Sequence, residues 1–182
     1  MSSSGANTSG YLPPPTGSPL VLGTGPAATR ALSNANLSVG AVLIPVGLTL
    51  AALGVDVTAA GDAGCTIVPC IYRDAGNGVP GGLLVAGTAV SGAATGQNTA
   101  PNNTVIPPGW YWVGALLLGA PVTPPTVRIG GPPSISPIGN IHSWGAAVSS
   151  AWNWQQSALA APPDPMIPAV TTFGAPLVIA HT

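Results

Sequence analysis

The segment from residue 108 to residue 118, which indicates the fold class most clearly, reads Pro-Gly-Trp-Tyr-Trp-Val-Gly-Ala-Leu-Leu-Leu. Successive side chains of an extended strand point to opposite faces, so Trp110, Trp112 and Leu116 share one face. Tyr111 and Val113 share the other face. Large apolar side chains on both faces predict a strand that is covered on both sides, as in the middle of a layered β protein.

Similar short apolar runs occur elsewhere in the chain, with turn-forming residues between them. The runs Cys65–Arg73 and Leu83–Val90 are separated by Asp74–Gly78, whose Asp, Asn and Gly residues favour a turn. Thr126–Ile129 and Pro176–Ala180 are two further candidate strands. About eight short strands with intervening turns predict an all-β chain, and the economical fold is an antiparallel β-sandwich, jelly-roll-like in topology.

The longest apolar stretch, Val39–Val55, approaches the length of a membrane-spanning helix and carries no charge. Pro45 and Gly47 interrupt it, and its apolar residues recur with period two between Val42 and Leu50. Period two is typical of strands, so we expect no membrane insertion.

The composition excludes several classes of function. The chain has 182 residues but only 3 Lys+Arg and 4 Asp+Glu, and a hydrophobic content of 46% is too high for a disordered chain. Nucleic-acid binding needs a basic stripe, whereas Arg30, Arg73 and Arg128 are isolated from one another in the sequence. A net charge of -1 gives little repulsion between copies, so we expect a homo-oligomer, a trimer, within a larger assembly.

Residue types that carry chemistry are few. Cys65 and Cys70 are five positions apart on one predicted strand, so their side chains point to opposite faces and we expect free, buried thiols. Gly76–Gly81 matches the dinucleotide-binding pattern G-x-G-x-x-G, but a predicted strand follows it instead of a helix. Neither the four aspartates nor His142-Ser143 has a spacing that specifies catalysis. We expect no enzyme activity, no cofactor and no metal site.

The N-terminal region differs in composition from the rest. Residues 1–35 are predicted to form an extended arm, and residues 36–182 the β-sandwich domain. Within the arm, Tyr11, Leu12, Pro13 and Pro14 begin a polyproline-type segment that cannot build a core alone. We expect these residues to dock onto a neighbouring subunit. No basic residue precedes an apolar stretch at the start, so we expect no secretory signal.

Three segments form a recognisable series: Leu53–Gly64, Ile71–Leu84 and Pro107–Trp112. A strand that ends in Ile-Tyr enters an Asp-x-Gly-x-Gly-x-Pro-Gly turn, and a later strand begins with Pro-Gly-x-Tyr-Trp. Over about residues 41–130, this order and spacing resembles the β-sandwich domains of minor tail and tail-fibre proteins of tailed bacteriophages, particularly those of actinobacterial hosts.

The resemblance implies a structural protein of the virion, made in the host cytoplasm. Such a protein assembles with other virion proteins at the tail tip or in a fibre and can contact glycan on the host surface. The resemblance implies no enzyme activity.

Two other hypotheses fit the sequence. A capsid decoration protein would also combine a compact sandwich with an N-terminal arm. A lectin-like module would stack Trp144, Trp152 and Trp154 on sugar faces, while polar neighbours bind the sugar hydroxyls. Those neighbours are Asn153, Gln155 and Gln156. The competing interpretation is that these tryptophans fill the core or a subunit interface.

Overall fold

The computed structural model describes residues 19–22, 27–76, 78–130, 153–167, 170–171, 175–176 and 178–181. No helix occurs within these ranges, and so none that is long and apolar enough to cross a membrane. The strands in chain order are β1 (Pro19–Leu22), β2 (Ala27–Ala31), β3 (Leu37–Ile44), β4 (Leu48–Ala59), β5 (Thr66–Asp74), β6 (Pro80–Ala86), β7 (Val90–Ser91), β8 (Gly96–Ile106), β9 (Gly109–Leu118), β10 (Thr126–Gly130), β11 (Asn153–Gln156), β12 (Val170–Thr171), β13 (Ala175–Pro176) and β14 (Val178–His181).

Eight of these strands follow the order of a jelly roll. Sheet A contains the neighbours β2-β10-β4-β8, and sheet B contains β3-β9-β5-β6. When the eight strands are counted along the chain, the two sheets have the orders 1-8-3-6 and 2-7-4-5, which two Greek keys produce. All of the pairings are antiparallel. The predicted antiparallel β-sandwich of jelly-roll type is therefore confirmed.

The first two strands fall inside the range predicted for the arm. Strand β1 pairs with β14, and β2 pairs with β10, so residues 19–22 and 27–31 belong to sheet A. The predicted arm therefore differs from the structure at these residues. The reason is that β14 and β10, the partners of β1 and β2, come from much later in the sequence, and a local pattern does not reveal such pairings. Tyr11, Leu12, Pro13 and Pro14 lie outside the described residues.

The core lies between the two sheets, in two clusters of buried apolar side chains. The first cluster includes Leu50, Leu53, Ile71, Ile106 and Val113. The second includes Val55, Val57, Ile67, Leu117 and Val127. Complete burial of one such side chain contributes about 1.5–3 kcal/mol, so these clusters account for much of the stability of the sandwich.

The outer face of sheet B is also apolar and covered. Its side chains come from alternate positions of β3, β5 and β9, and they include Leu37, Val39, Tyr72, Trp112 and Leu116. Residues 157–167, which we call the strap, contribute Leu159 and Met166 to the same cluster. Strand β9 is thus buried on both faces, as its sequence predicts.

Pro69 lies within β5, where a proline removes one backbone donor. Along one edge β5 pairs with β9 without interruption from Thr66 to Arg73. Along the other edge it pairs with β7 and then with β6, and Pro69 falls in the gap between them. The Gly87 N–H donates to the Pro69 carbonyl at 2.8 Å. The proline therefore occupies a position where the neighbouring ladder is already broken.

Candidate functional site

The structure describes some of the residues for which the sequence allows either glycan contact or packing in the core or an interface. Trp144 and Trp152 lie outside the described residues. The backbone of Asn153 pairs with Gly40 of β3, at the start of β11. Trp154 and Gln155 follow on the same strand, and both are half-buried.

Trp154 acts as a packing residue on the outer face of sheet B. Its ring lies against the apolar cluster of that face, and its indole Nε1 donates to the Gly78 carbonyl at 3.0 Å. Gly78 lies in the turn between β5 and β6, so Trp154 fixes one side of this turn. Its indole N–H is occupied within the chain.

The same turn is fixed from a second direction by Asp74. Its Oδ1 accepts a hydrogen bond from Trp112 Nε1 at 2.8 Å, and its Oδ2 accepts one from the Gly76 N–H at 3.1 Å. Gly76 and Gly78 have φ values of 85° and 74°, which glycine adopts without strain. The Asp-x-Gly-x-Gly part of the motif thus builds the turn, and its aspartate links the turn to β9. Gly76 and Gly78 lie in the predicted turn, and the strand that follows, β6, already begins at Pro80 within the range Gly76–Gly81.

The strap closes the free edge of sheet B. Strand β6 pairs only with β5 among the described strands. Asp164 Oδ1 accepts from the Leu83 N–H of β6 at 2.9 Å, and the Met166 N–H donates to the Gly81 carbonyl at 3.2 Å. A covered edge cannot pair with another chain, so the strap protects the β6 edge of sheet B from edge-to-edge association.

Gln156 holds the far end of the strap. Its side-chain Oε1 accepts a hydrogen bond from the Ile167 N–H at 2.8 Å, and the Leu159 N–H donates to the Ala35 carbonyl at 3.0 Å. The side-chain oxygen of Gln156 is therefore hydrogen-bonded within the chain. The strap is attached at both ends and along β6.

Gln155 faces away from Trp154 because adjacent side chains of a strand alternate. It lines a small polar cleft at the seam between the sheets, with space of about 10 Å³, enough for a single water molecule. The other polar side chains of the cleft are Arg30, Ser33, Asn36 and Ser38. Trp154 and Gln155 consequently do not face one common ligand.

The ionisable groups of the described residues are dispersed. No group of three or more His, Cys, Asp or Glu side chains with metal-binding geometry occurs in the part of the chain that the structure describes. Asp56 forms an exposed ion pair with Arg128 at 2.8 Å. The Thr123 N–H donates to Asp62 at 2.8 Å, and this bond is the main cause that holds the pKa of Asp62 below its ordinary value.

Both cysteines are free and buried, as predicted, and they belong to clusters on opposite faces of sheet B. Burial raises the pKa of Cys70 to about 12. Burial, with a contribution from the charge of Asp62, also raises the pKa of Cys65. Thiols in this state are protonated at neutral pH, so they are poor nucleophiles and poor metal ligands.

Sequence reasoning missed Asp164 as a residue that organises the fold. A signal for it was present, because Asp164 is the only charged residue between Gly131 and Thr182. The comparisons of the chain with protein-family models, curated proteins and solved structures gave no match.

Proposed function

We propose that the chain is a structural protein of a bacteriophage particle, a minor tail or tail-fibre component that assembles through its N-terminal arm. The main support for the proposal is that the motif residues Asp74, Gly78 and Trp112 have a structural role. They build and anchor a turn, and their polar atoms are bonded within the chain. A motif used in this way supports a scaffold role, as in the tail domains that the sequence resembles.

The fold gives further support by analogy. Jelly rolls are frequent in viral capsid proteins and also occur in lectins, although a fold alone does not define a function. The low charge supports an assembled state, because a surface with so few charges has little electrostatic protection against association. We expect a homo-oligomer, a trimer. A monodisperse monomer in light scattering at micromolar concentration would count against this expectation.

Capsid decoration is the second candidate, since the same fold and surface suit a protein that lies across a shell. Its location in the particle distinguishes it from a tail component. The lectin-like hypothesis receives less support, because the indole N–H of Trp154 and the side-chain oxygen of Gln156 are bonded inside the chain.

Deletion of the arm tests the assembly role. Deletion of residues 2–20 would remove Tyr11, Leu12, Pro13 and Pro14, but it would also cut into β1, which begins at Pro19. The variant should therefore lack residues 2–18. We expect this variant to retain the β-sandwich by circular dichroism and to be missing from purified particles. The full-length chain, supplied in the same way to a phage that lacks its own copy, is the control. Wild-type amounts of the truncated chain in particles would contradict the proposal.

A further inference from the structure

One end of the sandwich carries an exposed apolar ridge. The turn 45–47 joins β3 to β4, and the turn 107–108 joins β8 to β9. A Cβ atom at Gly47 would lie 3.5 Å from Cδ of Pro108, so the two turns are in contact. The ridge consists of the exposed residues of these turns and their flanking strands: Leu43, Pro45, Val46, Val105, Pro107 and Pro108.

The exposure of this ridge is unusual within the chain. Leu43, Val46 and Val105 are 49%, 36% and 66% exposed, and they are three of the five exposed large apolar residues in the described part. No charged residue occurs in the segments 43–49 and 103–109. Leu43 lies on the outer side of sheet B and Val105 on the outer side of sheet A, and the two turns lie between them at the end of the sandwich. An exposed apolar surface without charge is typical of a contact surface.

An aromatic side chain extends the ridge onto sheet B. Trp110 pairs with Leu43 across the β3–β9 ladder, and it is half-buried. Trp110 also follows closely after Pro108. The surface thus combines part of an indole ring with aliphatic side chains and prolines.

The N-terminal segment enters the sandwich from the same end. Pro19 of β1 lies opposite His181 of β14, and His181 lies opposite Ala52 of β4. Strand β4 starts at the ridge with Leu48, and β1 runs away from the ridge towards Leu22. Strand β1 therefore begins on the side of the sheet that is nearer to the ridge.

The segment before Pro19 is long enough to extend past the end of its own sandwich. Tyr11–Pro15 precede Pro19 by four to eight residues, which span about 13–26 Å when extended at roughly 3.3 Å per residue. From the level of Ala52 to Leu48 the sheet extends about 13 Å further at the same rise. The segment can thus pass beyond the end of its own sandwich.

We propose that Tyr11–Pro15 of one copy of the chain pack against the apolar ridge of a second copy. Neither surface carries a charge, so the contact leaves no buried charge without a partner. The ridge side chains are exposed in the single chain, which leaves room for a segment from another copy. This inference deepens the proposed function and rests on it for the role of the arm in assembly.

Site-specific crosslinking of the full-length chain tests the contact. A Leu12→Cys chain is mixed with a tagged Leu43→Cys chain and treated with a short bismaleimide. The native Cys65 and Cys70 are buried, so they do not compete for the reagent. The matched control is a tagged Val122→Cys chain, because Val122 is 96% exposed and lies in the β9–β10 connection at the opposite end.

We expect mixed covalent dimers with Leu43→Cys in at least about tenfold higher yield than with Val122→Cys, because a specific contact raises the effective thiol concentration. Equal yields, or no mixed dimer with either partner, would overturn the docking proposal. A second measurement uses Leu43→Ser with Val105→Ser, which should lower the mass in sedimentation equilibrium. Val122→Ser should leave the mass unchanged. An unchanged mass for the ridge variant would also overturn the proposal.

The two proposals fail in different experiments. A chain that enters particles but gives no selective crosslink at the ridge would retain the virion role and lose the docking contact. A chain that crosslinks selectively in solution but is absent from particles would retain the contact and lose the virion role.

Discussion

Trp112 and Asp74 are 38 residues apart in the sequence, and a hydrogen bond of 2.8 Å joins the indole Nε1 to the carboxylate Oδ1. Trp112 is 1% exposed, whereas Asp74 lies at the exposed end of β5. The bond ties the turn after β5 to the largest buried side chain of β9. It explains why an aspartate and a tryptophan occur together in the motif that led to the functional proposal.

Loss of the Asp74 carboxylate should destabilise the fold. Asp74→Ala leaves the indole N–H without its partner, and we expect the free energy of unfolding to fall by about 2–3 kcal/mol. Asp74→Asn retains an acceptor oxygen and should lose about 1 kcal/mol or less. Urea unfolding measures the free energy of unfolding of both variants. Asp56→Ala is the control, because it breaks an exposed ion pair worth about 0–1 kcal/mol. Equal losses for Asp74→Ala and Asp56→Ala would contradict this account.

Removal of the Tyr72 hydroxyl should stabilise the protein. Tyr72 is 0% exposed, and its hydroxyl has no hydrogen-bond partner among the described residues. Because an unsatisfied buried hydroxyl costs about 1–3 kcal/mol, Tyr72→Phe should raise the free energy of unfolding by about 1 kcal/mol.

Tyr111→Phe is the matched control for Tyr72→Phe. The Tyr111 hydroxyl donates to the Pro107 carbonyl at 2.8 Å, so its removal should lower the free energy of unfolding by about 1 kcal/mol. Both values come from denaturant titrations under identical conditions. A lower stability for Tyr72→Phe would show that its hydroxyl has a partner in solution.

Gly114 should tolerate no larger residue. It pairs with Val39 of β3, and a Cβ atom at this position would overlap the Ser38 carbonyl oxygen. We expect Gly114→Ala to cost at least about 3 kcal/mol, because only a shift of the strand backbone relieves the overlap. Gly82→Ala is the control, since its nearest atom, Asp164 Oδ1, lies at 3.6 Å. Gly82→Ala should change the stability by less than about 1 kcal/mol. Comparable losses in the two variants would contradict the assigned close approach.

Stability should fall in alkaline solution through Cys70. Burial raises the pKa of Cys70 from 9.0 to about 12, so above pH 9 the unfolded chain loses this proton while the folded chain keeps it. The stabilisation of the fold by the protonated Cys70 thiol is complete below pH 9 and is lost between pH 9 and about 12. Between these limits the free energy of unfolding should fall by about 1.4 kcal/mol per pH unit for this group.

Cys70→Ala tests the alkaline effect through its slope. The variant lacks the titrating thiol, so its stability should fall with pH less steeply than that of the wild type, by about 1.4 kcal/mol per pH unit. Urea titrations from about pH 8 to about pH 11 measure both slopes, and the comparison of slopes removes the constant cost of the smaller side chain. Parallel curves would contradict the assignment to Cys70.

The fold was predictable where side-chain alternation is strong. Trp110–Leu118 has apolar residues on both faces, and the structure buries both. Strand β8 was missed, because its sequence from Gly96 to Ile106 is polar and contains Pro101. Such a strand at the edge of a sheet buries few apolar side chains, so its sequence lacks the alternation of apolar and polar residues that indicates a strand.

The contacts of the candidate site were less predictable than the fold. The sequence indicates the importance of Asp74 and Trp112 but not the bond between them, because the bond depends on how β5 and β9 pair. The strap was also missed. Its Asp164 acts on β6 from 81 residues away through the Leu83 N–H, and no local pattern specifies such a contact.

The role proposed for the chain is that of a structural protein in the tail of a phage particle. Immunogold electron microscopy of intact particles, with an antibody raised against the segment 140–156, tests it most directly. We expect gold at the tail end of the particles. Gold scattered over the head would contradict the tail assignment and support a decoration protein, and particles without gold would contradict a virion role.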